Sequence, residues 1–210
     1  MLIVIPSVDY ADMLAATLPA WRQTFPTAAF VVVTAKRDRA TIATAHAAGA
    51  AVLETEAWTA GGHRFNKARA LDEAFDFAAR PAGEICIAID ADVYPFGALH
   101  PLAITSDTTL YCCDRFYCES PAILQRQIAR PDRAALARMT AGRRGAGYFQ
   151  AFRARPTLTY GSYPTAGYYD LEFHRHFAGI AVIDSLYVLH LGRKSGKNWT
   201  GRILPRWGAA

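Results

Sequence analysis

The sequence predicts an α/β protein with a mostly parallel central sheet and helices on both of its faces. Three observations predict it. The first 92 residues alternate between short apolar runs and amphipathic stretches, in the order β-α-β-α-β-α-β. The runs at residues 2–6, 29–34 and 85–89 lack polar alternation, as expected of strands buried on both faces. Asp90 and Asp92 follow directly on the last run. That is the carboxyl end of a strand, where open α/β sheets bind their ligands.

Residues 2–6 form a strand that Pro6 ends. Asp9 is placed to cap a helix over 10–24, with Met13, Leu14, Leu18 and Trp21 on one stripe and Pro19 as a point of bending. Residues 29–34 are a second, β-branched strand. Asp38 caps a short helix to residue 48, Gly49 stops it, and residues 51–54 are a third strand. Gly61 and Gly62 open a helix over 63–79 that buries Phe65, Ala68, Leu71, Phe75 and Ala78, and Arg80-Pro81-Ala82-Gly83 ends it. Beyond Asp92 the alternation stops. Strands are expected at 108–113 and 148–153, and either one helix broken at Pro131 or two over 121–141. A turn-rich loop at 161–167 leads to a helix over 168–177, and two short strands follow at 180–183 and 186–191. No repeat or linker divides the chain. One domain is expected, with halves at 1–92 and 93–192 and a basic tail at 193–210.

The 210 residues, 52% of them hydrophobic, suffice for one sizeable core. No apolar run approaches the ~20 residues of a membrane span. The chain opens into a strand without a basic leader. Cys86, Cys112, Cys113 and Cys118 lack zinc-site spacing and read as buried free thiols of a reducing compartment, so a cytoplasmic location is expected. Lys and Arg number 9 against 14 Asp and Glu over residues 1–125, 9 against 4 over 126–192, and 5 against none in the tail. The carboxyl-terminal 85 residues thus carry +10, from (9 − 4) + (5 − 0), enough to attract a diphosphate or a polyanion. Asp90 and Asp92 are hard oxygen ligands suited to a divalent ion that keeps waters and bridges a substrate diphosphate. The alternative is a strand-end loop with solvated acids.

Six segments, in order, resemble the family 2-like glycosyltransferases of the A-type (GT-A) fold. They are Pro6-Ser7 after the first strand, Arg64-Phe-Asn-Lys-Ala-Arg69, Ile89-Asp-Ala-Asp92, Gly147-Tyr-Phe-Gln-Ala-Phe-Arg153, Gly167-Tyr-Tyr-Asp-Leu-Glu172 and His190-Leu-Gly192. The resemblance implies a Rossmann-like GT-A domain with a short acceptor-side region. It also implies a metal-dependent transfer of sugar from a nucleotide-diphosphate donor, a UDP-sugar foremost, to an acceptor hydroxyl. Tyr169 stands where members carry Glu before Asp170, and Thr34-Ala-Lys36 stands where members often hold the nucleobase with an acid.

The implied roles fit the residue chemistry. Mn²⁺ or Mg²⁺ would neutralise the departing diphosphate. Asp92 is the first choice of ligand, Asp90 reaches the ribose or binds through water, and His190 as third ligand would favour Mn²⁺. Pro6, Ser7 and Asn66 lie beside the donor. Arg64 and Lys67, one turn apart at a helix start, can clamp phosphate oxygens or be ordinary helix-surface charge. Asp170, with Glu172 second, is the candidate general base, which implies inversion at the anomeric carbon. His174 and His176, two apart on a helix, do not face one site. Tyr160, Tyr163, Tyr168 and Tyr169 can stack on an acceptor or simply pack. In the tail, Lys194, Lys197 and Trp199 can close over the donor, with Gly192, Gly196 and Gly201 as pivots; the same cations, with Arg130 to Arg155, can instead hold a polyanionic acceptor such as DNA. Two other classes compete. A sugar nucleotidyltransferase needs a Gly-rich basic loop after the first strand, which Pro6-Ser-Val-Asp-Tyr10 is not. A non-catalytic nucleic-acid-binding module leaves the paired acids unexplained.

Overall fold

A computed structural model describes residues 1–99, 104–136, 147–167, 169–192, 200–202 and 206–208. Its strands are β1 (Leu2–Pro6), β2 (Ala29–Ala35), β3 (Ala51–Thr55), β4 (Ile85–Ile89), β5 (Val93–Gly97), β6 (Thr109–Cys118), β7 (Phe149–Arg153) and β8 (Gly179–Leu191). Helices are α1 (Ala11–Thr24), α2 (Arg39–Ala47), α3 (Lys67–Phe77), α4 (Pro121–Ala129) and α5 (Tyr169–His174). One eight-stranded sheet joins both halves of the chain in the order β3-β2-β1-β4-β7-β6-β8-β5. β1 to β4 are mutually parallel, β7 is antiparallel to β4, and β8 is parallel to β6.

The strand period of two sorts the core. Ile3, Ile5, Val32, Ile87 and Ile89 pack with Met13, Leu14, Leu18 and Trp21 of α1 on one face. Leu2, Val4, Val31, Val33, Cys86 and Ala88 pack with Ala68, Leu71 and Phe75 of α3 on the other. Helices therefore cover both faces, as the apolar runs predict. All four cysteines are buried free thiols.

Several boundaries differ from expectation. Asp9 does not cap α1: its backbone is left-handed (φ 63°), its N–H bonds to Asp38 Oδ2 at 2.6 Å, and Tyr10 takes the N-cap position. α1 continues through Pro19. Burial of Leu18 and Trp21, on the order of 2–3 kcal/mol each, outweighs the missing N–H bond. α3 begins four residues late, because Asn66 rather than Gly62 starts it, and Gly61 and Gly62 (φ 71° and 73°) close a 3₁₀ turn over 57–62 instead. Phe65 therefore lies off the helix, against Trp58. After α4 the chain makes only a 3₁₀ turn, Arg133–Ala135, and the rest of the helix expected to 141 lies outside the described residues.

The last two expected strands are one, β8, whose pairing with β6 jumps from Ile183 to Tyr187. The polar pair Asp184-Ser185 marks that bulge and was the break seen in the hydrophobic pattern. β5 was missed. It pairs antiparallel with β8 and contains Pro95, which is tolerated because β5 is the sheet edge.

Asn66 binds α3 to the loop before α5. It is fully buried, its Oδ1 accepts from Arg69 N (3.2 Å) and Tyr163 N (3.1 Å), and its Nδ2 donates to Ser162 Oγ (2.8 Å). Asn66→Ala removes a cap and two tertiary bonds, so urea unfolding is expected to show a loss of about 2–4 kcal/mol; a loss below about 0.5 kcal/mol would contradict this role.

Candidate functional site

The turn from Asp90 to Val93 sits where β1, β4 and β8 end and β7 begins, and the surrounding chain fixes it by its backbone. Asp90 N donates to Tyr148 O (3.0 Å), Val93 N to Asp90 O (3.3 Å) and Leu191 N to Asp92 O (2.7 Å). From α1, Thr17 Oγ1 donates to Ala91 O and Trp21 Nε1 to Val93 O, both at 2.8 Å. Pairing of Val93 with His190 then brings the imidazole beside Asp92. His190 Nε2 lies 3.5 Å from Asp92 Oδ2, about the separation expected of two ligands each ~2.1 Å from one ion at an angle near 110°. Asp92 Oδ1 and His190 Nδ1 are buried without hydrogen-bond partners among the described residues. These two groups fit a divalent cation. No cluster of three or more His, Cys, Asp or Glu with metal-site geometry occurs among the described residues.

Asp90 pairs instead with Lys67 Nζ. Lys67 also lies 5.1 Å from the centroid of the Tyr169 ring. Of Arg64 and Lys67, expected one turn apart at a helix start, only Lys67 is on the helix. Arg64 precedes the helix and is exposed, whereas Lys67 is buried against Asp90. Asn66 spends its side chain inside the fold and acts on the site by holding Lys67's helix. Pro6 ends β1, and Ser7, also buried, leaves its Oγ unpartnered.

Asp170 stands at the start of α5, where its Oδ2 accepts from Gly147 N (3.2 Å) and its Oδ1 from Leu171 N (3.0 Å). Gly147 precedes Tyr148, whose carbonyl holds Asp90, so Asp170 is tied to the same turn. Buried Tyr169 lies between them, its hydroxyl donating to Gly147 O (3.2 Å) and feeling the charges of Asp90, Asp170 and Asp92. A Cβ at Gly147 would come within 2.0 Å of that hydroxyl, so only glycine fits. Glu172 points elsewhere, paired with Arg175 at 2.6 Å. Tyr160 and Tyr169 are packing residues, Tyr163 is half-buried, and His176 is exposed. Tyr168, Lys194, Lys197 and Trp199 lie outside the described residues.

Three contributors were not read from the sequence. Tyr10 is buried with its hydroxyl unpartnered, within the field of Asp92 and Asp90. Arg202 lies 4.7 Å over the Tyr10 ring and pairs with Asp12, Nη2 to Oδ2 at 2.8 Å, while Trp207 N also donates to Asp12. The far end of the tail is thus docked on α1 beside the site. Arg115 on β6 acts on both Asp92 and His190. Its sequence signal, one arginine in a strand ten residues long, is not distinctive.

Burial dominates the electrostatics. It pushes Asp92 up to about 6, against the pull of Lys67, and raises Asp90, which Lys67 partly offsets. It pushes His190 down to about 4, leaving a neutral imidazole. A carboxyl raised above its unfolded value binds more protons folded than unfolded, so its contribution to stability is lost as pH rises through the folded value. The depressed His190 has the opposite slope, with stability lost as pH falls from about 6.5 towards 4. Comparing Asp92→Asn with the parent isolates the first effect. In EDTA the variant is expected to gain stability relative to the parent between pH 4 and pH 7, by on the order of 1–3 kcal/mol in thermal or urea unfolding. A difference that does not change with pH would refute the buried-carboxylate assignment.

No family model matches the chain, and no curated protein matches its sequence. Solved structures match its fold. A mannosyltransferase from Pyrobaculum calidifontis, in complex with GDP-Man and Mn²⁺, aligns with TM-score 0.54 and 16% identity over 93% of this chain and 57% of its own. Glucosyl-3-phosphoglycerate synthase from Mycobacterium tuberculosis aligns with TM-score 0.51 and 18% identity over 94% and 72%. A mycobacterial protein aligns with TM-score 0.53 and 19% identity over 93% and 67%. At these identities the likeness is one of fold, and the chain has the GT-A, Rossmann-like glycosyltransferase fold.

Proposed function

We propose that this chain is a metal-dependent glycosyltransferase that moves a sugar from a nucleotide-diphosphate donor to an acceptor hydroxyl. The observation that carries the reading is a set of buried polar atoms left without hydrogen-bond partners among the described residues at the carboxyl edge of the sheet: Ser7 Oγ, the Tyr10 hydroxyl, Asp92 Oδ1, Arg115 Nε and His190 Nδ1. Each unsatisfied group costs about 1–3 kcal/mol, so a fold that gathers several in one place is built for a polar ligand. The mannosyltransferase of like fold binds GDP-Man and Mn²⁺, which supports this class of ligand.

Asp92 and His190 would hold Mn²⁺ or Mg²⁺, the imidazole favouring Mn²⁺, and the donor diphosphate and water would complete the shell. The bound ion supplies charge neutralisation on the departing diphosphate. The motif Asp90-Ala-Asp92 thus divides its labour: Asp92 takes the ion, and Asp90 orients Lys67 and the donor ribose. Lys67 stands ready to meet a phosphate oxygen, and Arg64, exposed ahead of α3, can reach the same phosphates. The acceptor oxygen attacks the anomeric carbon, the bond to the diphosphate oxygen breaks with its electron pair, and the acceptor proton passes to Asp170. That geometry gives inversion. Both oxygens of Asp170 accept backbone N–H bonds, which fix the carboxylate in place, and no cation pairs with it among the described residues; Glu172 is occupied by Arg175. UDP-sugars are the first donors to test. A DNA acceptor finds no support, since Arg153 and Arg155 donate to the carbonyls of Ile104, Gly83 and His176 rather than forming an open stripe. No helix of the described residues is long and apolar enough to cross a membrane.

A nucleotide-sugar hydrolysis screen with Mn²⁺ against EDTA tests the class directly, with metal-dependent release of nucleoside diphosphate expected. Asp92→Asn should abolish turnover with the fold intact, and turnover of that variant in metal-free buffer would overturn the ligand assignment. Asp170→Asn should lower kcat by at least ~10²-fold, the scale of lost general-base catalysis, with donor affinity nearly unchanged. Weakened donor binding with normal turnover of bound donor would remove Asp170 from this role.

A further inference from the structure

Arg115 is a cation with no carboxylate of its own. Every Asp and Glu of the chain lies among the described residues, and none forms an ion pair with it. Its neighbour Asp114 is taken by Arg133 Nη2. Its guanidinium lies 4.2 Å from the centroid of the Tyr148 ring, and its Nε is buried without a partner. The position follows from the sheet. β6 and β7 share one register pair, Tyr111 with Ala151, and beyond it towards the carboxyl edge their ladder ends. Arg115 and Tyr148 stand past that point. In β6, Tyr117 is in register with His190 and Arg115 with Val188, so Arg115 lies on the same face as His190, one pleat deeper. Its charge accordingly acts on both Asp92 and His190.

Lys67 cancels Asp90, and Arg202 cancels Asp12. A dication cancels the two negative charges of a bound sugar nucleotide. Asp92 and Arg115 remain and cancel each other. When the glycosidic bond breaks, its electron pair stays on the terminal phosphate, and the diphosphate as a whole then carries three negative charges. Among the described residues Arg115 forms no ion pair, and it lies on the same face of the sheet as His190.

We propose that Arg115 donates hydrogen bonds to the terminal phosphate of a nucleoside diphosphate held at Asp92 and His190, and so binds the leaving group. The inference rests on the donor reading above and assigns the phosphate to a residue of the second half of the chain. Guanidinium is suited to this by its planar donors and its ability to stack on Tyr148 while bonding in its own plane.

The test is calorimetric, with UDP, GDP, UMP and GMP as probes in Mn²⁺, on the full chain and on Arg115→Met and Arg115→Lys. Arg115→Met is expected to weaken the diphosphate that the parent binds by at least ~10-fold, as for a lost charge-assisted bond, and the matching monophosphate by less than ~3-fold. Arg115→Lys should lie between parent and Arg115→Met. It also carries the test should Arg115→Met not fold, because loss of the phosphate discrimination must then be seen in the lysine variant. Equal losses for diphosphate and monophosphate would make Arg115 merely structural, and no loss for either would place the anion elsewhere. Weaker binding of inorganic phosphate to the nucleotide-loaded protein, with diphosphate affinity intact, would assign Arg115 to an anionic acceptor and overturn the proposal. A parent chain that binds none of the four nucleotides with Mn²⁺ would remove the donor reading itself, an outcome distinct from all the others.

Discussion

The constraint on which this structure depends is a pair of carboxylates within three residues at the end of a central strand, one buried and one partly so. Asp92 is 6% exposed, and Asp90 remains beside it only because Lys67 neutralises it. Burial of an ionised carboxylate is costly unless it is paired or bound to a cation. The fold meets that cost by making the turn rigid. Five hydrogen bonds hold the backbone of residues 90–93, two donated by the side chains of Thr17 and Trp21 and three by the backbone N–H groups of Asp90, Val93 and Leu191, and they involve α1, the residue before β7, and β8 as well as the turn itself. A turn so held keeps Asp92 buried beside Asp90.

The remaining elements then have recognisable tasks. α1 brings the two side chains that fix the turn from one face, and its first turn offers Asp12 to the tail. α3 brings Lys67 from the other face, with Asn66 fixing the helix start and the 160–163 loop together. Gly147 admits the Tyr169 hydroxyl, which lets α5 dock so that Asp170 bonds to the strand that holds Asp90. β8 is long because it must reach from the end of α5 to the position opposite Val93, and its bulge absorbs the register mismatch with β6. Loops in this class of sheet carry the chemistry, while strands and helices set distances.

The tail shows how a basic terminus need not be a loose one. Arg202 is nearly buried, stacked on Tyr10 and paired with Asp12, and Trp207 packs at the margin of the core. Tyr10 therefore sits between a tail cation and the paired acids. The charge skew of the sequence is thus partly spent inside the molecule. Arg133, Arg153, Arg155 and Arg175 also have fixed partners, so net charge overstates the cation available to an external polyanion.

By itself the sequence determined the α/β class, the order of the first seven elements, the buried free cysteines and the placing of Asp90 and Asp92 at a strand end. These follow from local rules: apolar runs, helical stripes, turn residues and their spacing. It could also single out His190 and Asp170, because the late strand and the turn before α5 are marked in the pattern. Only the tertiary structure decided which of these groups meet. The antiparallel pairing of β5 with β8 brings His190 to Asp92 across nearly a hundred residues, and no local propensity encodes that register. Lys67 could be read as surface charge or phosphate clamp until the packing of α3 turned it onto Asp90. Arg115, Tyr10 and Arg202 carry no distinguishing local signal. Their roles come from a splayed pair of strands and a docked tail, which are properties of non-local contacts.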